Sequence, residues 1–171
     1  MHFDYSNPKE SNAAKLLRPL AGLVINIMFR PVCIGKENIP QSGPYIVASN
    51  HIQYFDPVIL SVYFPRAVHF MAKSEVFENR LIAFFMSCFN SFPVKRGTVD
   101  RASLEYAKQI INNGWLLGIF PEGKRSKDGK LQKTKNGLAY LAKKTKADIL
   151  PVCIYKTPGD TGRRKRITVR I

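Results

Sequence analysis

Apolar residues along this chain fall into short continuous runs separated by amphipathic stretches. The runs at 45–49, 67–73, 91–95, 115–120, 149–155 and 166–171 have the length of strands. Most of them are near-continuously apolar, and WLLGIF at 115–120 is typical of a strand inside a parallel sheet. Helical patterns cover 57–64, 75–89, 100–114 and 137–147. This alternation predicts an α/β protein with a mixed, largely parallel central sheet flanked by helices. Since the chain ends inside a strand pattern, we expect a longer natural product.

The N-terminal segment 13–30, AAKLLRPLAGLVINIMFR, is apolar with basic residues at its flanks. Its uncharged part, from Pro19 to Phe29, is shorter than the roughly 20 residues that a membrane-spanning helix needs. The segment fits either an amphipathic helix in the membrane interface or a helix packed on the core. We expect residues 1–30 to form an N-terminal membrane-associating helical segment and residues 31–171 to form the main domain.

Charge is distributed unevenly along the chain, whose net charge is +15. Residues 1–123 contain 12 Lys and Arg against 9 Asp and Glu, whereas residues 124–171 contain 15 against 3. A one-sided positive field attracts polyanions such as nucleic acid, an anionic membrane surface, phosphorylated substrates or acidic carriers, although a solvated basic face is the simpler explanation. The sequence has no zinc-ligand spacing, RNP-like motif or clear helix-turn-helix, so we expect no nucleic-acid partner.

The three cysteines, Cys33, Cys88 and Cys153, are odd in number and far apart. No CxxC pair and no signal peptide accompany them. We therefore expect reduced, mostly buried thiols in a cytosolic setting.

The stretch SNHIQYFDP, residues 49–57, places His51 five positions before Asp56. An Asp followed by Pro is a typical helix start, which predicts Asp56 as an N-cap and Pro57 at the first helical position. Residues 52–55 would then form a turn that folds His51 back onto the carboxylate, leaving the second imidazole nitrogen free as a general base. No serine nucleophile is evident, so the pair would deprotonate a substrate hydroxyl. The alternative is a surface histidine beside an N-cap aspartate.

Two later segments carry residues suited to phosphate binding at the ends of predicted strands. In FPEGKRSKDGK, residues 120–130, Glu122 and Gly123 follow a buried strand and precede Lys124 and Arg125. In VKRG, residues 94–97, two cations precede a glycine. Because ligands bind beyond the carboxyl ends of parallel strands, we expect both segments to lie near residues 50–56. Ordinary polar turns are the alternative.

The segments NHIQYFD, FPVKRG, FPEGKRS and ILPV resemble, in order and approximate spacing, the four motifs of the glycerophospholipid acyltransferases. The similarity covers roughly residues 35–171 and is greatest to the bacterial 1-acylglycerol-3-phosphate acyltransferases. It implies an acyltransferase domain over residues 31–171. The usual Thr after FPEG is Lys124 here, which replaces a hydroxyl with a cation.

The resemblance also implies roles for individual residues. His51 would be the base and Asp56 its partner, while Arg96, Glu122, Gly123 and Arg125 would bind the glycerol phosphate of the acceptor. The role of Pro151, in the fourth motif, is less defined. Lys95 and Lys124 would add positive charge to the same phosphate site.

The implied reaction moves a fatty acyl group from acyl-CoA or acyl carrier protein to the free hydroxyl of 1-acylglycerol-3-phosphate, giving phosphatidic acid. It needs no cofactor and no metal, and it proceeds without an acyl-enzyme. The expected partners are an anionic lipid surface, the thioester donor and a lysophospholipid acceptor, and the expected location is the cytoplasmic face of the cell membrane.

Several alternatives remain open from the sequence. The acceptor could be glycerol 3-phosphate or another lysophospholipid. A non-catalytic protein that binds anionic lipid or nucleic acid would also account for the positive charge.

Overall fold

The computed structural model describes residues 3–160 and 166–171, so the cations of 163–165 lie outside the described residues. Five α-helices and seven strands occur in these ranges, with short 3₁₀ turns at Lys36–Asn38 and Ser74–Phe77. The helices are α1 Asn12–Phe29, α2 Asp56–Tyr63, α3 Arg80–Cys88, α4 Arg101–Asn112 and α5 Gly137–Thr145. The strands are β1 Val32–Ile34, β2 Tyr45–Ser49, β3 Val68–Lys73, β4 Ser91–Val94, β5 Leu116–Ile119, β6 Asp148–Lys156 and β7 Ile167–Arg170.

The seven strands form one sheet in the order β1-β7-β6-β2-β5-β3-β4. Every neighbouring pair is parallel except β6 and β7, which are antiparallel. The prediction of a mixed, largely parallel α/β sheet is therefore confirmed. The carboxyl ends of β2, β5, β3, β4 and β6 all lie at one edge of this sheet, which we call the carboxyl edge.

The helices cover the two faces of the sheet as two separate layers. On one face, α1 and α2 pack through Ile25, Ile59 and Leu60 against strand residues of the first core cluster. On the other face, α4 and α5 pack through Ile110 and Leu141 in a second cluster. The central strands β2, β3, β4 and β5 are mainly buried, which explains their continuous apolar sequences, whereas β1 and β6 are largely exposed.

The structure corrects two sequence predictions and adds one strand. Residues 75–89 do not form one helix, because Asn79 accepts hydrogen bonds from the backbone N–H groups of Leu81 and Ile82 and starts α3 after a separate 3₁₀ turn. All three cysteines are free, but only Cys88 is buried, whereas Cys33 is half-buried and Cys153 is exposed. Strand β1 was not predicted, since three residues are too few to show a pattern.

Helix α1 packs one side on the core and leaves a large apolar side exposed. Ala14, Gly22 and Ile25 are buried against the core, so one side of the segment packs as in the core-packing alternative, while the membrane-interface alternative stays a prediction for the other side. Within the described part of the chain, no helix is long and apolar enough to cross a membrane. The exposed apolar side chains are Leu16, Leu20, Leu23, Val24, Ile27 and Met28.

A glycine in the centre of the sheet sets the position of a core aromatic. Gly118 on β5 pairs with Phe70 on β3, and a Cβ at position 118 would overlap the Phe70 ring. Phe70 is fully buried and stacks on Phe120, with the ring centroids 5.8 Å apart. Gly118 therefore makes room for a ring that packs directly behind the carboxyl edge.

We expect Gly118→Ala to destabilise the protein by about 1–3 kcal/mol or more, because the buried ring has no free space into which to move. The measurement is the free energy of unfolding from urea titration. Gly137→Ala is the matched control, since a Cβ there meets no atom within 4 Å. An unchanged stability for Gly118→Ala would contradict this packing.

Candidate active site

The turn between β2 and α2 is organised by the carboxylate of Asp56, which is fully buried. Its Oδ2 accepts hydrogen bonds from the backbone N–H groups of Ile52 at 2.7 Å and Gln53 at 2.9 Å. The same oxygen lies 2.8 Å from Nδ1 of His51. The predicted contact between His51 and Asp56 is thus present.

The expected N-cap role of Asp56 is wrong. Helix α2 begins at Asp56 itself, with Phe55 in the N-cap position, and no side chain caps the helix. The carboxylate points back to the amides that precede it because these donors, together with His51, already satisfy Oδ2. Since α2 begins at Asp56, Pro57 is the second helical residue rather than the predicted first, and its missing N–H still costs nothing in the first turn.

His51 is held from two directions. Asp56 binds Nδ1, and the ring stacks on Phe120 with centroids 4.2 Å apart and planes inclined by 22°. The side chain is 15% exposed, and within the described residues its Nε2 has no hydrogen-bond partner. Because the Asp56 carboxylate accepts a hydrogen bond from Nδ1, the proton of the neutral imidazole lies on Nδ1 and the lone pair lies on Nε2.

Asn50, directly before the histidine, joins the end of β2 to β6. Its amide Nδ2 donates to the carbonyl of Ile154 at 2.8 Å, and its Oδ1 accepts from the N–H of Ile154 at 2.7 Å. This side chain completes the strand ladder where the backbone leaves it. Sequence analysis missed this role, which has no signal beyond the position of an Asn at a strand end.

The loop after β5 is attached to the His51 turn. The N–H of Ser126 donates to the carbonyl of His51 at 2.7 Å, and the guanidinium of Arg125 lies 3.4 Å from the centre of the Tyr54 ring. Gly123 has a φ of +66°, which glycine adopts without strain. The predicted approach of residues 120–126 to residues 50–56 is therefore observed. Neither Ser126 nor Tyr54 was singled out in the sequence.

Glu122 is buried beside this contact, and within the described residues neither of its carboxyl oxygens has a hydrogen-bond partner. Buried polar groups normally have partners, so this carboxyl group is suited to a ligand that brings hydrogen-bond donors. The side chain of Lys135 packs across Gly123, where Cε would lie 3.0 Å from an added Cβ. The N–H of Lys135 donates to the carbonyl of Pro121 at 2.8 Å.

The remaining predicted cations lie at the carboxyl edge at different distances from His51. Lys124 is exposed in the loop after β5, the strand next to β2. Lys95 and Arg96 are exposed after β4, two strands further along the sheet, which is about 10 Å at the usual strand spacing. Within the described residues no hydrogen bond or ion pair joins Lys95 or Arg96 to residues 50–56 or to the Glu122 loop, and β4 is three strands from β2, so the predicted approach of residues 94–97 to residues 50–56 is not observed.

Lys73 is a further cation at this edge that sequence analysis did not single out. It ends β3, the strand between β5 and β4, and its Nζ lies 2.7 Å from Oε1 of Glu75. Hydrogen bonding from Lys73 lowers the pKa of Glu75 to about 2. The signal was available, because a lysine at the end of a parallel strand lies at the ligand-binding edge.

His69, in contrast, has no place in this site. It lies near the start of β3, away from the carboxyl edge, and stacks on Trp115 with centroids 5.1 Å apart. Burial lowers its pKa to about 4, so it is neutral at pH 7. Among the described residues, no group of three or more His, Cys, Asp or Glu side chains could hold a metal ion.

Residues 30–155 match the family model described as Acyltransferase. The chain is 32% identical over 150 residues to the 1-acyl-sn-glycerol-3-phosphate acyltransferase of Bacillus subtilis, covering 86% of this chain and 70% of that protein. It is 31% identical over 140 residues to the enzyme of the same name from Borreliella burgdorferi, covering 81% of this chain and 54% of that protein.

The fold is also similar to a crystal structure of the 1-acyl-sn-glycerophosphate (LPA) acyltransferase PlsC from Thermotoga maritima. The TM-score is 0.74 at 27% sequence identity, covering 92% of this chain and 66% of that chain. The chain thus spans about half to two thirds of the length of these relatives. The family model, the identities and the fold agree, and the chain belongs to the acyltransferase family.

Proposed function

We propose that this chain transfers a fatty acyl group from a thioester donor to the free hydroxyl of 1-acylglycerol-3-phosphate, giving phosphatidic acid. The observation that carries the proposal is the hydrogen bond between His51 Nδ1 and the buried carboxylate of Asp56, next to a loop with free cations. The relatives in Bacillus subtilis and Borreliella burgdorferi, which are named 1-acyl-sn-glycerol-3-phosphate acyltransferases, support this acceptor.

In this mechanism His51 is the general base. Its Nε2 accepts the proton of the acceptor hydroxyl while the oxygen attacks the thioester carbonyl, and Asp56 stabilises the imidazolium that forms. A C–O bond forms, the C–S bond breaks, and the departing thiolate takes the proton back from the imidazolium. No side chain becomes acylated, and the proton balance requires no cofactor or metal.

The acceptor is held by cationic side chains and by the carboxyl group of Glu122, which suit different parts of the molecule. Lys124 and Arg125 bind the phosphate, and Lys95 and Arg96 would approach it from β4. The planar guanidinium of Arg125 can donate hydrogen bonds to two phosphate oxygens. Glu122 repels phosphate, so we assign its unpartnered carboxyl group to the hydroxyl end of the glycerol. Gly123 has no side chain that would fill the space between the two.

The apolar side chains of α1 and α3 form the surface that we assign to the membrane, and we call it the α1–α3 apolar face. The two helices contact each other, and Leu81, Ile82, Phe84 and Phe85 on α3 are exposed alongside those of α1. Exposed apolar surface of this extent marks an interaction site. Binding of the α1–α3 apolar face to lipid would bring the carboxyl edge to the cytoplasmic face of an anionic membrane, where lysophospholipid is available.

We expect His51→Asn to lower kcat by about 100- to 10,000-fold, the range for loss of a general base. Asparagine keeps an N–H donor near the position of Nδ1 and so preserves the contact with Asp56, but it has no base at the position of Nε2. The assay is acyl transfer from palmitoyl-CoA to 1-acylglycerol-3-phosphate, with the melting temperature as the folding control. More than a tenth of wild-type kcat in this variant would exclude His51 as the base.

Arg125→Ala is expected to raise the acceptor KM by about 10- to 100-fold, as for loss of a charge-assisted hydrogen bond. The donor KM should stay within about twofold, since the phosphate of the acceptor is the group affected. Lys36→Ala is the control, because this exposed lysine lies beyond the opposite edge of the sheet. Equal increases for donor and acceptor would remove Arg125 from the phosphate site.

The double variant Phe84→Asp/Phe85→Asp should weaken binding to phosphatidylglycerol vesicles by about tenfold or more, because two large apolar side chains no longer enter the lipid. Co-sedimentation with vesicles measures the partition coefficient. Val99→Asp/Leu131→Asp is the matched control, since these equally exposed apolar residues lie outside α1 and α3. Equal losses in the two variants would contradict the assignment of this face.

A further inference from the structure

We propose that this protein binds the phosphate group of a second lipid molecule in a cavity at the amino end of its sheet, in addition to the acceptor at the carboxyl edge. The cavity, which we call the amino-edge cavity, has a volume of about 550 Å³, which is typical of small-molecule sites. Its wall is formed by α1, by the connection from α2 to β3, and by residues at the starts of β4 and β5. The inference goes beyond the proposed function, because it concerns a separate site.

The amino-edge cavity lies at the opposite end of the strands from the candidate active site. Val68, the first residue of β3, lines the cavity, whereas Lys73, the last residue of β3, lies at the carboxyl edge. The five steps between these residues extend about 16 Å at the rise of a strand. A phosphate group in the amino-edge cavity is therefore not the phosphate of an acceptor poised beside His51.

Two arginines that line this cavity are held in place by neutral groups only. Nε of Arg18 donates to the carbonyl of Ser61 at 2.6 Å. Nη1 of Arg66 donates to the carbonyl of Gly43 at 2.5 Å, and its Nη2 donates to the carbonyl of Gly114. Among the described residues, neither arginine forms a salt bridge. The carbonyl groups fix both side chains but leave their positive charges uncompensated.

Both guanidinium groups also keep free hydrogen-bond donors. Arg18 makes one further, longer contact, from Nη1 to the carbonyl of Pro65 at 3.5 Å. Since a guanidinium has five N–H groups, Arg18 and Arg66 each keep three that make no contact with the described residues. Burial lowers the pKa of Arg18, which shows that water solvates its charge poorly. A phosphate group supplies the negative charge and the acceptor oxygens that both arginines lack.

The other charges around the cavity also favour an anion. Lys15 is exposed at the cavity, and Glu10 is the one carboxylate in its described lining, so the three cations outnumber the acids by two. Helix α1 begins here without a side-chain cap and without an acidic residue in its first turn. The positive end of its dipole therefore adds to the field of the cations.

The remaining wall is apolar and leads to the α1–α3 apolar face. The aromatic rings of Phe89 and Trp115 line the cavity. Phe89 directly follows α3, and its N–H donates to the carbonyl of Phe85 at 3.3 Å, so the helical spacing continues to Phe89. Residues four apart lie on one side of a helix, and Phe85 is exposed. An apolar chain attached to a phosphate in the cavity can thus pass over Phe89 and Phe85 into lipid, which distinguishes a lipid from free phosphate.

The experiment measures binding of dihexanoyl phosphatidic acid, below its micelle concentration and without acyl donor, by isothermal titration calorimetry. Because the acceptor site would also bind this lipid, the titrations use the Arg125→Ala variant, which should retain one bound molecule per chain. In this background Arg18→Gln should raise the Kd by about 10- to 100-fold, as for loss of a charge-assisted hydrogen bond. Arg101→Gln is the matched control, since this exposed arginine lies at the start of α4, outside the cavity lining.

Two further variants test the site if Arg18→Gln does not fold, which its melting temperature reports. Lys15→Glu changes an exposed side chain that makes no hydrogen bond to the described residues, and it should raise the Kd by about threefold or more. Ala67→Phe adds a ring to the cavity wall without changing the charge. It should also raise the Kd, which a general attraction between the lipid and a positive protein would not produce.

Unchanged affinity in the folded cavity variants overturns the site, and so does an equal loss of affinity in Arg101→Gln. Loss of all binding in Arg125→Ala also overturns it, because the lipid then occupies only the acceptor site. Inorganic phosphate is the second ligand, and we expect it to bind more weakly and to respond to the same variants. Equal affinity for phosphate and lipid overturns the assignment to a lipid. If the wild type binds lipid in this cavity but transfers no acyl group, the proposed function fails while this site stands.

Discussion

The buried carboxylate of Asp56 is the constraint on which the site depends. A charged group without solvent contact costs several kcal/mol unless hydrogen-bond donors surround it. Two backbone N–H groups and the His51 ring supply those donors to Oδ2, so the turn from 51 to 56 closes around the carboxylate. Oδ1 has no hydrogen-bond partner among the described residues, so the contacts at Oδ2 carry the stabilisation of the charge, and the same contacts fix the tautomer and the orientation of the imidazole.

The parallel sheet converts this local turn into a site. Strand β5 is the neighbour of β2, and as a result the loop after β5 reaches the carbonyl of His51 through Ser126. Behind the imidazole, Phe120 stacks on Phe70, for which Gly118 leaves space. The histidine thus rests on the half-buried ring of Phe120, which is supported by the buried ring of Phe70, and this packing gives the precision that a positioned base requires.

The two helical layers separate two kinds of surface. The α1–α3 apolar face lies with the first layer, and the exposed Lys143 and Lys144 of α5 lie with the second. The second layer meets the carboxyl edge through the loop after β5. This separation is the physical basis for assigning lipid to the first layer.

The sequence by itself determined the α/β class and most of the elements, because strands buried on both faces need continuous apolar runs and amphipathic helices need a periodic pattern. It also identified His51, Asp56 and the loop cations, since their order matches a known set of motifs. Only the tertiary structure decided that Asp56 turns away from its own helix and that Asn50 completes the strand ladder. Those features depend on strand order and on the hydrogen-bond donors that surround a buried charge. Neither is determined by residues that are close together in the sequence.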